Sequence, residues 1–279
     1  MALTNGFRQF LWAPRLCAAG IHVGLSLAAV GALVLLMLQF WYPQPYFMAD
    51  GGWRVFQIIV LVDVVIGPLL TFIVFNRAKP ELKRDLVIVA VLQVGAFVYG
   101  AVTMYQYRPV FLAAAEENLF TVNWPDLERA NQDLAKVRVL SLGQNLPLMV
   151  DIRLPESTAQ REAVWSQSAR DGIPPSHQSQ RFAPMTQARL DRLLRPGINI
   201  DAMAKTDAAI AAELARVLKR HPELPRERLA FVPLNCRFEL IMLVFDRETR
   251  RVIDWMTLAS IKFDLRCSVC SKPGATIAA

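Results

Sequence analysis

Cys267 and Cys270 stand in the stretch "CSVC", the spacing of a redox or metal-binding pair. Thioredoxin-type chemistry needs that pair between a strand and a helix, and the flanking sequence supplies neither. A zinc site needs a tetrahedral donor set, which Cys236, Cys267, Cys270 and His221 could form in principle, yet no second pair of the same spacing completes the pattern. A structural disulfide is the stronger expectation, either within the pair or from one member to Cys236. His177 falls in a polar, Pro-rich loop, His221 follows a helix, and no glycine loop suited to phosphate occurs. The sequence thus offers no catalytic residue, no metal site and no cofactor.

A carboxylate in an unusual solvent is the other candidate. Asp63 lies within "VFQIIVLVDVVIGPLLTFIVF", residues 55–75. At 1.5 Å per residue it is about 15 Å from the outer end of its helix, close to a bilayer centre. A charged Asp costs on the order of 2.5 to 3.5 kcal/mol there, so it should face other helices and be paired or neutral. Measured from the inner end, Asp63 is about 18 Å deep, Tyr99 about 21 Å, Gln93 about 12 Å and His22 about 8 Å. Tyr99 and Gln93 are therefore the candidate partners, and His22 is too shallow. Those two stand roughly 120° apart around their helix, so one of them points at Asp63, and Tyr99 is favoured for its depth. Three roles remain open: a neutral packing contact, a docking site for a partner helix that carries a polar group, and a proton or ion path. The last lacks a second titratable group at matching depth.

Pro68 has no N–H to offer the carbonyl of Val64, so a kink is expected there. Gly67 leaves room for a close neighbour, and Gly95, Ala96 and Gly100 supply small residues on the next span.

The elements that must position these residues are membrane helices. The chain has 279 residues, 54% of them hydrophobic, but the apolar residues crowd into the first third. Three runs, 17–41, 53–75 and 85–105, are long enough to cross a bilayer, which takes about 20 residues. The first is too long for a cleavable signal core of roughly 7 to 15 residues, so it is expected to remain as an anchor. Arg8 and Arg15 precede it, and Arg77, Lys79, Lys83 and Arg84 lie between the second and third runs, whereas the loop between the first two has no cation. Cations stay on the cytoplasmic side. The expected arrangement is a cytoplasmic N-terminus (1–16), a three-helix membrane domain (17–108), a periplasmic domain (109–270) and a flexible tail (271–279) of a bacterial inner-membrane protein. These cations also account for much of the net charge of +7, and no basic patch suited to nucleic acid appears.

Trp41, Tyr42, Tyr46 and Trp53 frame the cation-free loop and are expected to sit at the lipid interface. Past the third span, Pro109 ends the helix and two short apolar runs flank "EEN", which reads as a β-hairpin. A helix is expected to begin near Pro125 and run through "DLERANQDLAK". A strand in "LPLMVDIRLP" and a polar helix in "ESTAQREAVWSQSAR" follow. "DGIPPSHQSQRFAP" reads as a loop, and "DAMAKTDAAIAAELARVLKRH" as one helix. "RLAFVPLNCRFELIMLVFD" and "RVIDWMTLA" are expected to form a terminal hairpin about "RETR". The fold class is thus membrane α-helical followed by an α+β domain with an antiparallel sheet.

The stretch "GGWRVFQIIVLVDVVIGPLLTFIVFNRAKPELKRDLVIVAVLQVGAFVYG", followed by "YRPV", resembles the TfpX/TfpZ family of type IV pilin accessory proteins. The resemblance is specific over residues 50–124 and rests on Asp63, Gly67, Pro68, Asp85, Gln93, Tyr99, Gly100, Arg108 and Pro109. Elsewhere it rests on size and on "FVPLNCR". It implies an inner-membrane protein that supports assembly or display of pili without being a subunit or an enzyme. The major pilin, and through it the pilus assembly machinery, would be its partner. Pilins of this class rest in the membrane through an apolar helix with an acidic residue near its start, and the bundle around Asp63, Pro68, Gln93 and Tyr99 would dock that helix. Asp85, Arg108 and Pro109 would mark the membrane interfaces. Two other readings stay open: an envelope sensor or scaffold unrelated to pili, and a membrane redox protein working through "CSVC".

Overall fold

The computed structural model describes residues 3–130, 147–195 and 197–258, and side chains from Trp12 onward. Two compact units emerge: Met1–Phe47 with Gly51–Gln106, and Met48–Asp50 with Tyr107–Ala279.

The first unit holds three helices long and apolar enough to cross a membrane: Trp12–Trp41, Gly52–Val74 and Leu82–Tyr107. The first begins at Leu3 as α1 (Leu3–Leu36) and widens into a π-turn over Met37–Trp41. The second, α2 (Gly52–Val74), contains a π-turn at Leu61–Ile66. The third is α3 (Leu82–Tyr107), and Pro109 bars its continuation. Pro68 does not break α2. The π-turn just before it shifts the hydrogen-bond register instead, a common resolution of such a fault. Gly51, at φ 84°, turns the chain into α2 in a conformation that favours glycine. The loop aromatics depart from expectation: Tyr42 and Tyr46 are buried, and the Tyr42 hydroxyl donates to the Met104 carbonyl at 2.9 Å. A phenol that finds an acceptor inside the bundle has no need of the lipid interface.

The second unit is built on a seven-stranded sheet: β1 (Phe111–Ala115), β2 (Asn118–Val122), β3 (Leu148–Ile152), β4 (Phe182–Pro184), β5 (Leu229–Asn235), β6 (Leu240–Asp246) and β7 (Arg251–Thr257). Its order is β4-β3-β1-β2-β5-β6-β7. The sheet is mixed rather than purely antiparallel, because β1 pairs β3 and β2 pairs β5 in parallel. Those two joins link strands far apart in sequence, which periodicity alone does not register. The expected terminal hairpin is a three-stranded meander, since its first long run folds back at Cys236–Glu239 between β5 and β6.

Helix α4 (Trp124–Arg129) is capped by the Asn123 side chain, and its expected extension beyond 130 lies outside the described residues. Next come α5 (Thr158–Asp171) and α6 (Gln187–Leu193). The long helix expected around 201–221 is two, α7 (Ile200–Thr206) and α8 (Ala208–Arg220), because the Asp207 carboxylate accepts from the amides of Ala209 and Ile210 and starts a new helix. One core cluster joins β1, β3 and Leu127 of α4; another packs Ile210, Leu214 and Val217 of α8 on β5–β7. Each fully buried Leu, Ile or Phe contributes about 1.5–3 kcal/mol.

Candidate functional site

A cavity of about 500 Å³ lies inside the membrane unit, lined from Ala18 to Ala29 on α1, by Asp63, Thr71 and Phe75 at α2, and from Leu86 to Phe97 on α3. Its lining is mostly aliphatic. His22, Ser26, Asp63, Thr71 and Gln93 are the exceptions.

The π-turn explains how Asp63 and Gln93 come together. The Gly67 amide donates to the Val62 carbonyl rather than to that of Asp63, and the residue five beyond Asp63 is Pro68, which has no N–H. The Asp63 carbonyl thereby lacks a helical donor. Gln93 on α3 supplies one: its Nε2 donates to the Asp63 main-chain oxygen in a long bond of 3.4 Å. A polar group at that depth must be satisfied within the protein. Gly67 makes the approach possible, since a Cβ there would lie 1.7 Å from Gln93 Nε2. Asp63, Gly67, Pro68 and Gln93 thus form one constellation.

The polar end of this constellation is buried but incompletely matched. Asp63 is 5% exposed and Gln93 8%, yet Asp63 Oδ2 and Gln93 Oε1 have no hydrogen-bond partner among the described residues. His22 is within electrostatic reach of Asp63 but spends its Nδ1 on Thr71 Oγ1, 2.6 Å away. Depth counting rightly kept His22 from bonding Asp63 directly. It missed Thr71, which lies at the same depth as His22 on the neighbouring helix; matching polar residues by depth would have found that pair.

The other expected residues divide. Gly100 packs on Ile59, whose Cγ1 would lie 2.7 Å from an added Cβ, whereas Gly95 has open space. Tyr99 is 76% exposed and turned away, so Gln93 takes the place expected for it, in keeping with the angle between them on α3. Asp85 pairs with Lys79. Arg108 and Pro109 are buried where α3 ends and the sheet begins. Cys236 is half-buried, and burial with the nearby Asp50 and Glu239 pushes its thiol well up, away from the reactive thiolate. Cys267, Cys270 and the tail lie outside the described residues, which leaves both the disulfide and the "CSVC" expectation there. No group of three or more His, Cys, Asp or Glu suited to a metal occurs among the described residues.

Sequence reasoning also passed over Asp50, read only as a loop charge. It is buried within the second unit, where its Oδ1 accepts from Thr121 Oγ1 at 2.6 Å and from the Arg237 amide at 3.0 Å. Burial raises its pKa to about 6 against those two hydrogen bonds.

Residues 10–51 match a family described as fimbrial assembly protein FimB. Among curated proteins, the chain is 34% identical over 151 residues to "Fimbrial assembly protein, serogroup I" of Dichelobacter nodosus, covering 53% of this chain and 51% of that one. It is 39% identical over 105 residues to "Fimbrial assembly protein, serogroups C1 and C2" of the same organism, covering 37% of this chain and 79% of the relative. The serogroup E1 protein shows 39% identity over 105 residues and 40% coverage of its own length. The chain thus spans about half the length of the first of these relatives. No solved structure matches it significantly.

Proposed function

Because the chain belongs to the FimB fimbrial assembly protein family, we propose that it is an accessory protein of type IV pilus biogenesis that acts by binding pilin and carries out no reaction itself. In this reading the three apolar helices span the bacterial inner membrane with the N-terminus in the cytoplasm. The second unit stands in the periplasm, against the pilin head. The apolar helices and the cations flanking them support the orientation.

The observation that carries pilin contact is the cavity, where a buried carboxyl and a buried carboxamide each leave an atom unsatisfied. The membrane helix of pilin, with its acidic residue, would fill it, and one proton shared between that residue and Asp63 would avoid the repulsion of two bare carboxylates. A strain lacking the protein should still make pilin but display few pili, counted by electron microscopy. A normal pilus count would leave an envelope sensor or scaffold as the reading. A photoreactive residue at position 63 should capture pilin in intact membranes, and failure to do so removes the intramembrane contact.

A further inference from the structure

Met48–Asp50 stand in the chain between α1 and α2, yet these three residues belong with the second unit. Two of them are fastened there by hydrogen bonds. The Ala49 carbonyl accepts from the Phe238 amide at 3.1 Å, and Asp50 Oδ1 accepts from the Arg237 amide at 3.0 Å and from Thr121 Oγ1 at 2.6 Å. Ala49 is 1% exposed and Asp50 7%, so little water reaches these bonds. The seat is made by Thr121 of β2 and by the turn between β5 and β6.

The two oxygens of Asp50 are served unequally. Oδ1 has two donors, whereas Oδ2 is buried with no partner among the described residues. A neutral carboxyl suits this arrangement, because its carbonyl oxygen keeps both donors and the unserved position carries a hydroxyl. A carboxylate would leave part of its charge without a donor, and an unserved buried charge costs far more than an unserved hydroxyl. The charged and titratable groups that act on Asp50 are Asp126 on α4, and Arg237 and Cys236 on the turn. Asp126 opposes a second negative charge; it stands 3.9 Å from both Arg129 and His177, and burial lowers the pKa of that His. Cys236 stays neutral, since burial pushes its thiol well up. Arg237 favours the charge, but its guanidinium lies over the Tyr107 ring, 4.6 Å from the centre, and it is the main-chain amide of Arg237 that bonds Asp50. Burial outweighs the two hydrogen bonds and raises the Asp50 pKa to about 6.

We propose that Met48–Asp50 form a proton-gated clasp, closed on β2 and the β5–β6 turn while Asp50 is neutral and released more readily once Asp50 ionises. In the open clasp the carboxyl meets water and returns to its ordinary value of 3.8. The closed state therefore holds the proton more tightly than the open one. Closure is favoured fully below pH 4, and that advantage is lost as the pH rises through 6. Between pH 5 and pH 7 the opening equilibrium should rise about tenfold. The clasp goes beyond the pilin reading and does not depend on it; in the orientation proposed above it answers to the pH of the periplasm.

Hydrogen exchange of the full chain in detergent micelles reads the clasp directly, because the Arg237 and Phe238 amides both donate to it. After correction for intrinsic exchange rates, their protection should fall about tenfold from pH 5 to pH 7. At both pH values it should also lie at least about tenfold below that of Leu243 and Val244 on β6, a strand paired on both sides, as a local opening requires. Asp50→Asn keeps an acceptor for Thr121 and the Arg237 amide but cannot ionise, so its change with pH should shrink to within about twofold. Other titrations are common to the two chains, and the difference isolates Asp50. Asp50→Ala should leave both amides poorly protected at either pH. Equal protection at pH 5 and pH 7 in the parent chain overturns the proton dependence. Protection equal to that of Leu243 and Val244 shows that the two amides open only with the whole unit, and it overturns the clasp as a separate element. The same tenfold fall in Asp50→Asn assigns the titration to another group and overturns Asp50 as the gate.

Discussion

Each unit buries carboxylates, and the two treat them in opposite ways. In the second unit, Asp254 has a fully buried side chain and accepts from Arg216 at 3.3 Å, Arg220 at 3.1 Å and the Trp255 amide at 2.8 Å, with the His221 ring 3.4 Å away. Asp246 on β6 is likewise held by Arg228 and by the amides of Glu248 and Thr249, and its pKa falls far below the usual range, first because Arg228 bonds it. In the membrane unit, Asp63 is buried with Oδ2 unmatched among the described residues. The physical cost of an unmatched buried polar atom is at least as high in lipid as in a soluble core. Asp254 and Asp246 are matched by donors within the fold, whereas Asp63 keeps one oxygen without a partner among the described residues.

That contrast makes a large first prediction. Asp254→Ala takes a buried acceptor from Arg216 and Arg220 between α8 and β7; because Arg216 keeps Glu213 and the Trp255 carbonyl and Arg220 is half exposed, the expected cost is about 1–3 kcal/mol. Urea unfolding of the full chain in detergent micelles, followed by tryptophan fluorescence, should show the second unit lowered by about that much. A loss under about 1 kcal/mol would mean that the network is no more than surface pairing and would weaken the contrast.

Asp50 sharpens the comparison, because it resembles Asp63 in having one oxygen unmatched while lying in the second unit. Its folded pKa of about 6 stands above the ordinary 3.8, so the folded state holds this proton more tightly than the unfolded one. The resulting stabilisation is complete below pH 4 and is lost as pH rises through 6, amounting to up to about 3 kcal/mol. Acids with lowered values, such as Asp246 and Asp191, give the opposite slope, so the informative quantity is the difference between the parent chain and Asp50→Asn. Asn keeps an acceptor for Thr121 and the Arg237 amide. Its advantage should grow from pH 4 to pH 7, and a flat difference would place the Asp50 pKa near its ordinary value.

Close packing in the membrane unit gives a smaller effect. Gly100→Val would drive side-chain atoms into Ile59 and should destabilise the bundle by about 1–3 kcal/mol, as overpacking does. Gly95→Ala, with nothing near it, should be silent in the same detergent unfolding assay. Equal effects at the two positions would show that α3 faces its neighbours differently.

Much of this was legible in the sequence, for particular reasons. Hydropathy over 20-residue windows is a strong signal, so the three apolar helices and Asp63 within the second stood out at once. The apolar runs about Glu116 and Glu117 likewise marked β1 and β2. The parallel joins of β3 and β5 to that hairpin did not show, because pairing partners distant in the chain leave no local pattern. At the site, depth narrowed the partners of Asp63 to Tyr99 and Gln93 but could not choose the face of α3. The face decides: Tyr99 is turned outward, while the amide of Gln93 reaches the carbonyl that Pro68 leaves open by passing over Gly67. A proline-induced need on one helix and a glutamine on another can be connected only once the register of both is known.

The smallest expected effect on stability bears most directly on the contrast. Asp63→Asn removes the possibility of charge but keeps shape, and the Gln93 bond goes to the main chain at that position, which the substitution leaves in place. Unfolding in detergent should therefore change by less than about 1 kcal/mol, while Asp63→Leu, which removes a polar group from an apolar setting, should be neutral or mildly stabilising. Structural acids behave otherwise, as Asp254→Ala would show in the same assay. If Asp63→Leu instead unfolds the bundle as severely as Asp254→Ala unfolds the second unit, then Asp63 has internal partners after all and the two regions follow one rule. If it leaves the bundle intact and pili are lost, the carboxyl serves a partner from outside the chain, since its Oδ2 has no partner among the described residues.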